Sequence, residues 1–325
     1  MSHAIRFHKT GGPDVLTWED VPVGDPGPGE ARVAHKAIGL NFIETYHRSG
    51  LYPLPMPSGL GTEASGVVEA VGPNVTEVKV GDRVAYANGP LGSYSEKRVM
   101  PADRLVKLPD GISFEQGASM MLQGLTVQYL LRRLHVTPKS GDTVLWHAAA
   151  GGIGLIACQW ARALGVNVIG TVSSEEKAKL AMEHGAAHTI NYTKEDFQAR
   201  VLEITGGKKV PIVYDSVGKD TFMKSLDCLQ PRGLMVSFGN ASGAVGPTDL
   251  GILAAKGSLY ITRPTLISYT AKRDELVAAA KELFDMVLSG KVKVSPRQSY
   301  PLKDAAQAHR DLEARKTTGS TVLVP

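Results

Sequence analysis

The run His147-Ala148-Ala149-Ala150-Gly151-Gly152-Ile153-Gly154 constrains this chain more than any other segment. It follows a short apolar run, Thr143–Trp146, and opens a helical pattern over residues 155–164. A turn of small residues between a strand and a helix lets backbone N–H groups approach a diphosphate at the positive end of the helix. In the register Gly-x-Gly-x-x-Gly, Gly151 and Gly154 are the second and third glycines, and Ala149 takes the first glycine's place. A tight turn alone would also use small residues, but the strand before and the helix after are the context a dinucleotide site requires.

The next strand decides which dinucleotide fits. It is expected over residues 166–172, because Gly165 ends the helix and the run is β-branched. An NAD site usually carries Asp or Glu at the end of that strand to hold the adenosine ribose hydroxyls. Here Ser173 and Ser174 stand there, followed by Glu175, Glu176 and Lys177. A ribose 2′-phosphate needs donors and a cation, which Ser173 and Lys177 supply. Ser173 with Glu176 also reads as a capping box, with Lys177 a solvated helix residue. The two readings are compatible, since a capped helix start is also an anion site. Glu175 and Glu176 argue the other way, because either is placed to bend toward a ribose. The balance favours NADPH over NADH.

The chain has 325 residues, enough for two domains, with 43% hydrophobic and 21% charged residues, as in an ordinary soluble protein. The formal charge is +4, and Lys and Arg are scattered without a basic stripe interleaved with aromatics. Nucleic acid is therefore not an expected partner. The two cysteines, Cys158 and Cys228, form neither a disulfide framework nor a metal cluster, which suits a cytoplasmic location. The N-terminus lacks the long apolar core of a secretory signal. Residues 143–161 carry no Asp, Glu, Lys or Arg, yet they break into strand, turn and helix. That pattern is the buried centre of a parallel sheet unit rather than a membrane span.

Up to about residue 124 the chain is rich in Gly, Pro and short alternating runs. Strands are expected at 4–8, 31–38, 64–71, 83–86 and 94–100, making a partly open β-barrel. From 125 to 292 strands and helices alternate. Strands are expected at 143–146, 166–172, 188–190, 212–215, 234–238 and 259–262, with helices at 155–164, 175–184, 194–204 and 221–229. Six strands with crossover helices make a Rossmann-type doubly wound parallel sheet. A long helix is expected at 271–288. Residues 293–325 should then return to the first domain, with a strand at 298–302, a helix at 304–315 and a strand at 320–324. The expected domains are thus 1–124 with 293–325, and 125–292.

The run Gly141-Asp142-x-x-Leu145-x-x-x-Ala149-Ala150-Gly151-Gly152-x-Gly154-x-x-x-x-Gln159-x-x-Arg162 resembles the quinone oxidoreductase and zeta-crystallin branch of the medium-chain dehydrogenase/reductase superfamily. The resemblance spans the whole chain. Residues 37–46, Arg48-Ser49-Gly50, Gly61-Thr62-Glu63 and Gly81-Asp82-Arg83-Val84 share it, as do residues 213–218 and Ser237-Phe238-Gly239-Asn240. It implies a GroES-like catalytic domain beside the Rossmann domain, and an NADPH-dependent quinone reductase. Zinc alcohol dehydrogenases of the same superfamily place a Cys where this chain has Asn41 and a His where it has Thr62. Asn and Thr are poor zinc ligands, and a structural zinc lobe needs four Cys, so no metal is expected. Glu63 is retained from the zinc-site motif and is expected to act as a structural hydrogen-bonding group. A quinone is already a strong hydride acceptor, so positioning and hydrogen bonds in a dry cleft between domains replace a Lewis acid.

The resemblance also implies the site. Asn41, Tyr46 and Tyr52 are the expected catalytic residues, Asn41 and Tyr46 facing the nicotinamide and substrate. Tyr46 is placed to bond the acceptor oxygen or donate a proton; its plain alternative is a packing aromatic. Thr126 resembles a position near the nicotinamide. Ala150, Gly151, Gly152 and Ile153 are expected on the diphosphate, and Ser173, Lys177 and Tyr192 on the 2′-phosphate. Phe238, Gly239, Asn240, Ile261, Thr262 and Arg263 follow the fifth and sixth strands, the latter near the carboxamide. Arg263 read alone suits a structural ion pair equally well. The sixth strand would be an open apolar edge, favouring a homodimer joined across it, as the family implies. Two alternatives stand beside the quinone reductase: an NADPH-dependent alkenal or enone double-bond reductase, and a zeta-crystallin-like RNA-binding or structural protein.

Overall fold

The computed structural model describes residues 2–325. The chain forms two compact units, one of residues 2–125, 269–288 and 294–325, the other of residues 126–268 and 289–293.

The second unit is a six-stranded sheet of Thr143–Trp146, Asn167–Val172, His188–Asn191, Val210–Asp215, Leu229–Ser237 and Tyr260–Thr262. Numbered one to six along the chain, they lie in the order 3-2-1-4-5-6, every pair parallel. That is the doubly wound Rossmann order, whose switch point lies between strands one and four. Strand one is buried on both faces (Val144, Leu145 and Trp146), which is why it reads as an unbroken apolar run. Phe197, Val201, Phe222 and Leu226 join Leu145, Ile169, Val213 and Met235 in one core. Residues 289–293 stay with this unit through Gln159, whose amide donates to the Lys293 carbonyl (3.1 Å) and accepts from its N–H (2.8 Å).

The first unit is antiparallel except for the pairing of Pro296–Pro301 with Ser320–Val324. Its main sheet has seven strands, with Glu30–Leu40 as the hub. That strand pairs with Glu63–Val71, Lys97–Pro101 and Ser320–Val324, the last setting Leu323 opposite Ile38. The C-terminal stretch thus returns to the first unit, which is discontinuous in the chain. A smaller sheet joins Ser2–Phe7 to Thr17–Val21 and Ser58–Gly59. Ile5, Phe7, Val33, Ile38, Leu60, Val84 and Leu323, drawn from both sheets, share one core.

Several segments differ from the sequence expectation, among them strand Thr17–Val21 and helix Phe42–Ser49, which were not expected, and the helix that starts at Phe197 instead of residue 194. Helix Arg273–Leu288 belongs to the first unit, not to the Rossmann domain. Its Leu283 lies so close to Gly124 that a methyl there would meet Leu283 Cδ1 at 2.5 Å. Arg273 also donates to the carbonyls of Asp103 (2.6 Å) and Leu105 (3.0 Å). Helix Phe114–Arg132 was not expected at all. Its buried residues surround it, so no 3.6-residue stripe marks it in the sequence. The fifth strand of the Rossmann sheet starts at Leu229 instead of residue 234, ending the preceding helix early at Asp227. No helix is long and apolar enough to cross a membrane among the described residues.

Candidate active site

In the second unit Ala150 to Ile153, Ser173, Tyr192, Phe238 to Asn240 and Arg263 follow the ends of parallel strands and so share one edge of the sheet, while Ile261 and Thr262 close strand six, and Lys177 and Thr126 lie in helices. Helix Gly152–Ala163 begins at Gly151 and has no acidic residue in its first turn. The left-handed residue of the turn is Ala148, at φ 56°, not one of the glycines. That conformation costs an L-residue about 1–2 kcal/mol. Gly154 serves close packing: a methyl there would meet the carbonyl oxygens of Ala148 and Ala149 at 2.5 Å. Ala149, in the first glycine's place, is fully buried. Its methyl is accommodated by the neighbouring strand, where a methyl on Gly170 would lie 2.5 Å from Ala149 Cβ.

Beneath the turn lies a polar network. His147 is buried, with Nδ1 2.9 Å from the Thr171 hydroxyl and Nε2 2.9 Å from the Ser225 hydroxyl. Burial pushes its imidazole below the ordinary range, against the opposing pull of Asp215. Asp215 accepts from the N–H groups of Val217 (2.7 Å) and Gly218 (3.0 Å) and from the Thr221 hydroxyl (2.7 Å). Both groups thus anchor the turn rather than face a ligand. A neutral imidazole with both nitrogens engaged is not a metal ligand.

The register Val172↔Asn191 sets the ends of strands two and three side by side. The Tyr192 N–H donates to the Val172 carbonyl at 3.1 Å, so Tyr192 stands next to Ser173. The capping pattern is shifted by one residue from the expected Ser173–Glu176 box. Ser174 is the N-cap of helix Glu175–Glu183, and its hydroxyl accepts from the Lys177 N–H at 3.2 Å. Ser173 is thereby left outside the cap, half-buried at the strand end. Glu175, placed in the sequence to reach toward a ribose, instead accepts from Asn191 Nδ2 (3.0 Å) and Lys194 Nζ (3.1 Å). These partners hold its carboxyl below the usual range.

Phe238, Gly239 and Asn240 follow strand five, where Gly239 packs against Ser216 too closely for a side chain. The Arg263 guanidinium donates to the Ser237 carbonyl at 2.8 Å, tying the ends of strands five and six together. Ile261 is exposed and Thr262 half-buried, while Thr126 is buried within helix Phe114–Arg132.

In the first unit, Asn41 ends the hub strand and caps helix Phe42–Ser49. Its side chain is spent inward. Nδ2 donates to Glu63 (2.7 Å), and Oδ1 accepts from Gln123 Nε2 (3.0 Å). Gln123 in turn accepts from the Ser320 hydroxyl at 2.7 Å. The Asn41 N–H donates to Glu44 (2.6 Å), whose other oxygen accepts from Thr62 (2.8 Å). Glu63 also accepts from the Leu122 N–H at 2.8 Å, consistent with the structural role expected of it. Both carboxyls are fully buried, and burial pushes Glu44 up to about 7 and Glu63 up to about 8. Tyr46 and Tyr52 lie edge to face with ring centroids 5.3 Å apart, both half-buried, joined by the Tyr52 N–H to Tyr46 carbonyl bond of 3.1 Å.

This cluster does not fit a zinc ion. Asn41 and Thr62 offer an amide and a hydroxyl already engaged by carboxylates. Among the described residues, no group of three or more His, Cys, Asp or Glu is arranged to hold a metal. The strand-turn-helix segment of the second unit does fit a dinucleotide: close backbone at Gly154, a helix start at Gly151 without a side-chain cap, Ser173 and Tyr192 at adjoining strand ends, and Lys177 in the first turn of the helix that follows strand two.

Sequence reasoning passed over Glu44, Gln123, Ser320, Asn191 and Lys194. For Glu44 a signal was present, since Asn41-x-x-Glu44 is the spacing of an N-cap and its returning carboxylate. The others join residues across the fold, and no local pattern marks them.

The fold and these two clusters define a medium-chain dehydrogenase/reductase. Residues 27–110 match the alcohol dehydrogenase GroES-like domain, and residues 152–284 match the zinc-binding dehydrogenase family. The chain is 60% identical to the quinone oxidoreductase of Pseudomonas aeruginosa, over all of both chains. It superposes on the structure of Escherichia coli quinone oxidoreductase complexed with NADPH with a TM-score of 0.98 and 56% identity, covering 99% of this chain and 100% of that one. A 2-haloacrylate reductase from Burkholderia sp is 50% identical over 100% of this chain and 99% of its own length. The chain belongs to the quinone oxidoreductase family.

Proposed function

We propose that this chain is an NADPH-dependent quinone reductase acting without a metal. The observation that carries the reading is the full-length likeness to a quinone oxidoreductase seen with NADPH. The end of strand two, followed by Ser173 where an NAD site would carry a carboxylate, with Lys177 in the first turn of the next helix, supports it. NADPH, when bound, supplies a hydride from its nicotinamide. The backbone N–H groups of Ala150, Gly152 and Ile153 would hold its diphosphate at the helix start, while the Gly151 N–H, expected in the same role, donates to the Ala148 carbonyl at 2.9 Å. Ser173, Lys177 and Tyr192 hold the 2′-phosphate, and Phe238, Gly239, Asn240, Ile261, Thr262, Arg263 and Thr126 line the nicotinamide end. Asn41, its amide fixed by Glu63 and Gln123, sets the shape of the acceptor side. Tyr46 and Tyr52 line that side, and the Tyr46 hydroxyl donates the proton that completes reduction of the acceptor oxygen.

A second reading, reduction of an electron-poor double bond, draws support from the 2-haloacrylate reductase relative. A parallel assay of NADPH consumption with benzoquinone, naphthoquinone and an unsaturated aldehyde separates the two. Faster turnover of a quinone is expected; faster turnover of the aldehyde overturns the ranking. Lys177→Ala should weaken NADPH binding about tenfold and leave NADH binding unchanged, because it removes a cation facing a phosphate. Equal loss for both coenzymes would remove Lys177 from the site.

The protein is also proposed to act as a cytoplasmic homodimer. Strand six is the outer strand of its sheet, and Tyr260 (56%) and Ile261 (43%) stay exposed on it, with Leu250 (73%) nearby in the chain. A second copy pairing along this edge would cover them. Sedimentation giving only monomer at micromolar concentration would refute it.

A further inference from the structure

We propose that Asn191 and Lys194 are specificity-determining residues that tether the Glu175 carboxylate and so set the choice of coenzyme. The inference rests on the reading of Ser173, Lys177 and Tyr192 as the 2′-phosphate subsite. Glu175 is the first carboxylate after strand two and the first residue of the following helix. Left loose, it would repel a ribose phosphate of nearly two negative charges and would offer an acceptor to a free ribose diol. Two donors converge on one of its oxygens, Oε1: Asn191 Nδ2 at 3.0 Å and Lys194 Nζ at 3.1 Å.

The Asn191 arm of the tether is built into the fold, beside a Lys194–Glu175 ion pair that is largely exposed (65% and 71%). Asn191 is buried at the end of strand three, in register with Val172 at the end of strand two. Its Oδ1 accepts from the Thr193 N–H (3.2 Å) and the Thr193 hydroxyl (2.7 Å). A backbone N–H can only donate, so the amide orientation is fixed and Nδ2 is turned toward Glu175. Lys194 cancels the charge, Asn191 fixes the direction, and the segment between them carries Tyr192. The device thereby both reduces repulsion of the phosphate and withholds an acceptor from NADH.

Dissociation constants for NADPH and NADH, measured by calorimetry, test this in the full-length wild type, Lys194→Met, Asn191→Ala, Glu175→Gln and the two doubles with Glu175→Gln. Lys194→Met should lower the NADPH-over-NADH preference about fivefold, with Asn191→Ala in the same direction. Glu175→Gln alone should change it by less than about twofold, yet restore it in both doubles. A purely structural loss at Asn191 would not be rescued by Glu175→Gln. Additive effects in a wild type that prefers NADPH overturn the tether alone. A wild type that binds both coenzymes equally overturns the coenzyme reading beneath it.

Discussion

The turn at Ala149–Gly154 and the cluster around Asn41 are built by opposite means. The turn works through side chains that are missing: Gly154 lets the helix start lie against two carbonyl oxygens, and Gly151 leaves the helix end open. The Asn41 cluster works through side chains that are present and buried: Glu44, Glu63, Gln123, Thr62 and Ser320. A backbone site tolerates no added atom, whereas a side-chain network tolerates no lost partner. Gly39 links the two styles, since a methyl there would strike both the Glu63 carboxylate and the Ala118 carbonyl.

The contrast breaks most sharply at Gly154. Gly154→Val should destabilise the protein by about 3 kcal/mol or more and abolish NADPH binding, because the blocking atoms are backbone and cannot turn aside. Denaturant unfolding with a coenzyme titration checks it; unchanged binding would show that the close packing is dispensable.

Next in size is pH dependence, which the two clusters should show with opposite sign: His147 under the turn, held below its ordinary range by burial, weakens the fold as pH falls, and the carboxyls around Asn41 weaken it as pH rises. Glu44 and Glu63 titrate near 4.5 when unfolded, but burial raises them to about 7 and about 8 in the folded protein. The folded state therefore holds their protons more tightly, and their contribution is full below pH 4.5 and lost as pH rises to about 8. Glu44→Gln should remove about 3 kcal/mol of that decline. Urea midpoints between pH 5 and pH 8, compared with wild type, read it out.

Glu63→Leu should cost about 2–3 kcal/mol by stranding the Asn41 amide and the Leu122 N–H, and Glu63→Gln distinctly less. The smallest effect is expected under the turn, where Thr171→Val deletes one bond to His147 and should cost about 1 kcal/mol while coenzyme binding persists. A larger loss of binding there would mean the turn depends on its polar support as heavily as the Asn41 cluster does.

The same contrast governs what could be read from sequence. The doubly wound sheet and the turn were legible because small residues at fixed spacing and strand-helix alternation are local signals, whereas the strand order comes from the fold. Asn41 is singled out in the sequence only through resemblance. Its partners Gln123 and Ser320 lie far along the chain, so no spacing rule joins them. Helix Phe114–Arg132 escaped because it is apolar around its circumference, and helix Arg273–Leu288 was read correctly as a helix but allotted to the other domain. Helix periodicity reports that one face is buried, not against which neighbour. The spacing Ser173-x-x-Glu176 points to the first serine as a capping box, whereas Ser174 caps the helix through its hydroxyl alone, with Lys177 in the third position.

The exchange of a methyl between Ala149 and Gly170 makes the two positions heritable only as a pair. Gly170→Ala introduced first would drive one methyl into another, whereas Ala149→Gly introduced first opens room for it. A lineage moving toward the three-glycine form of the turn is therefore free to change strand two only after the turn itself has changed, and the order of those two steps is dictated by geometry before any selection on catalysis.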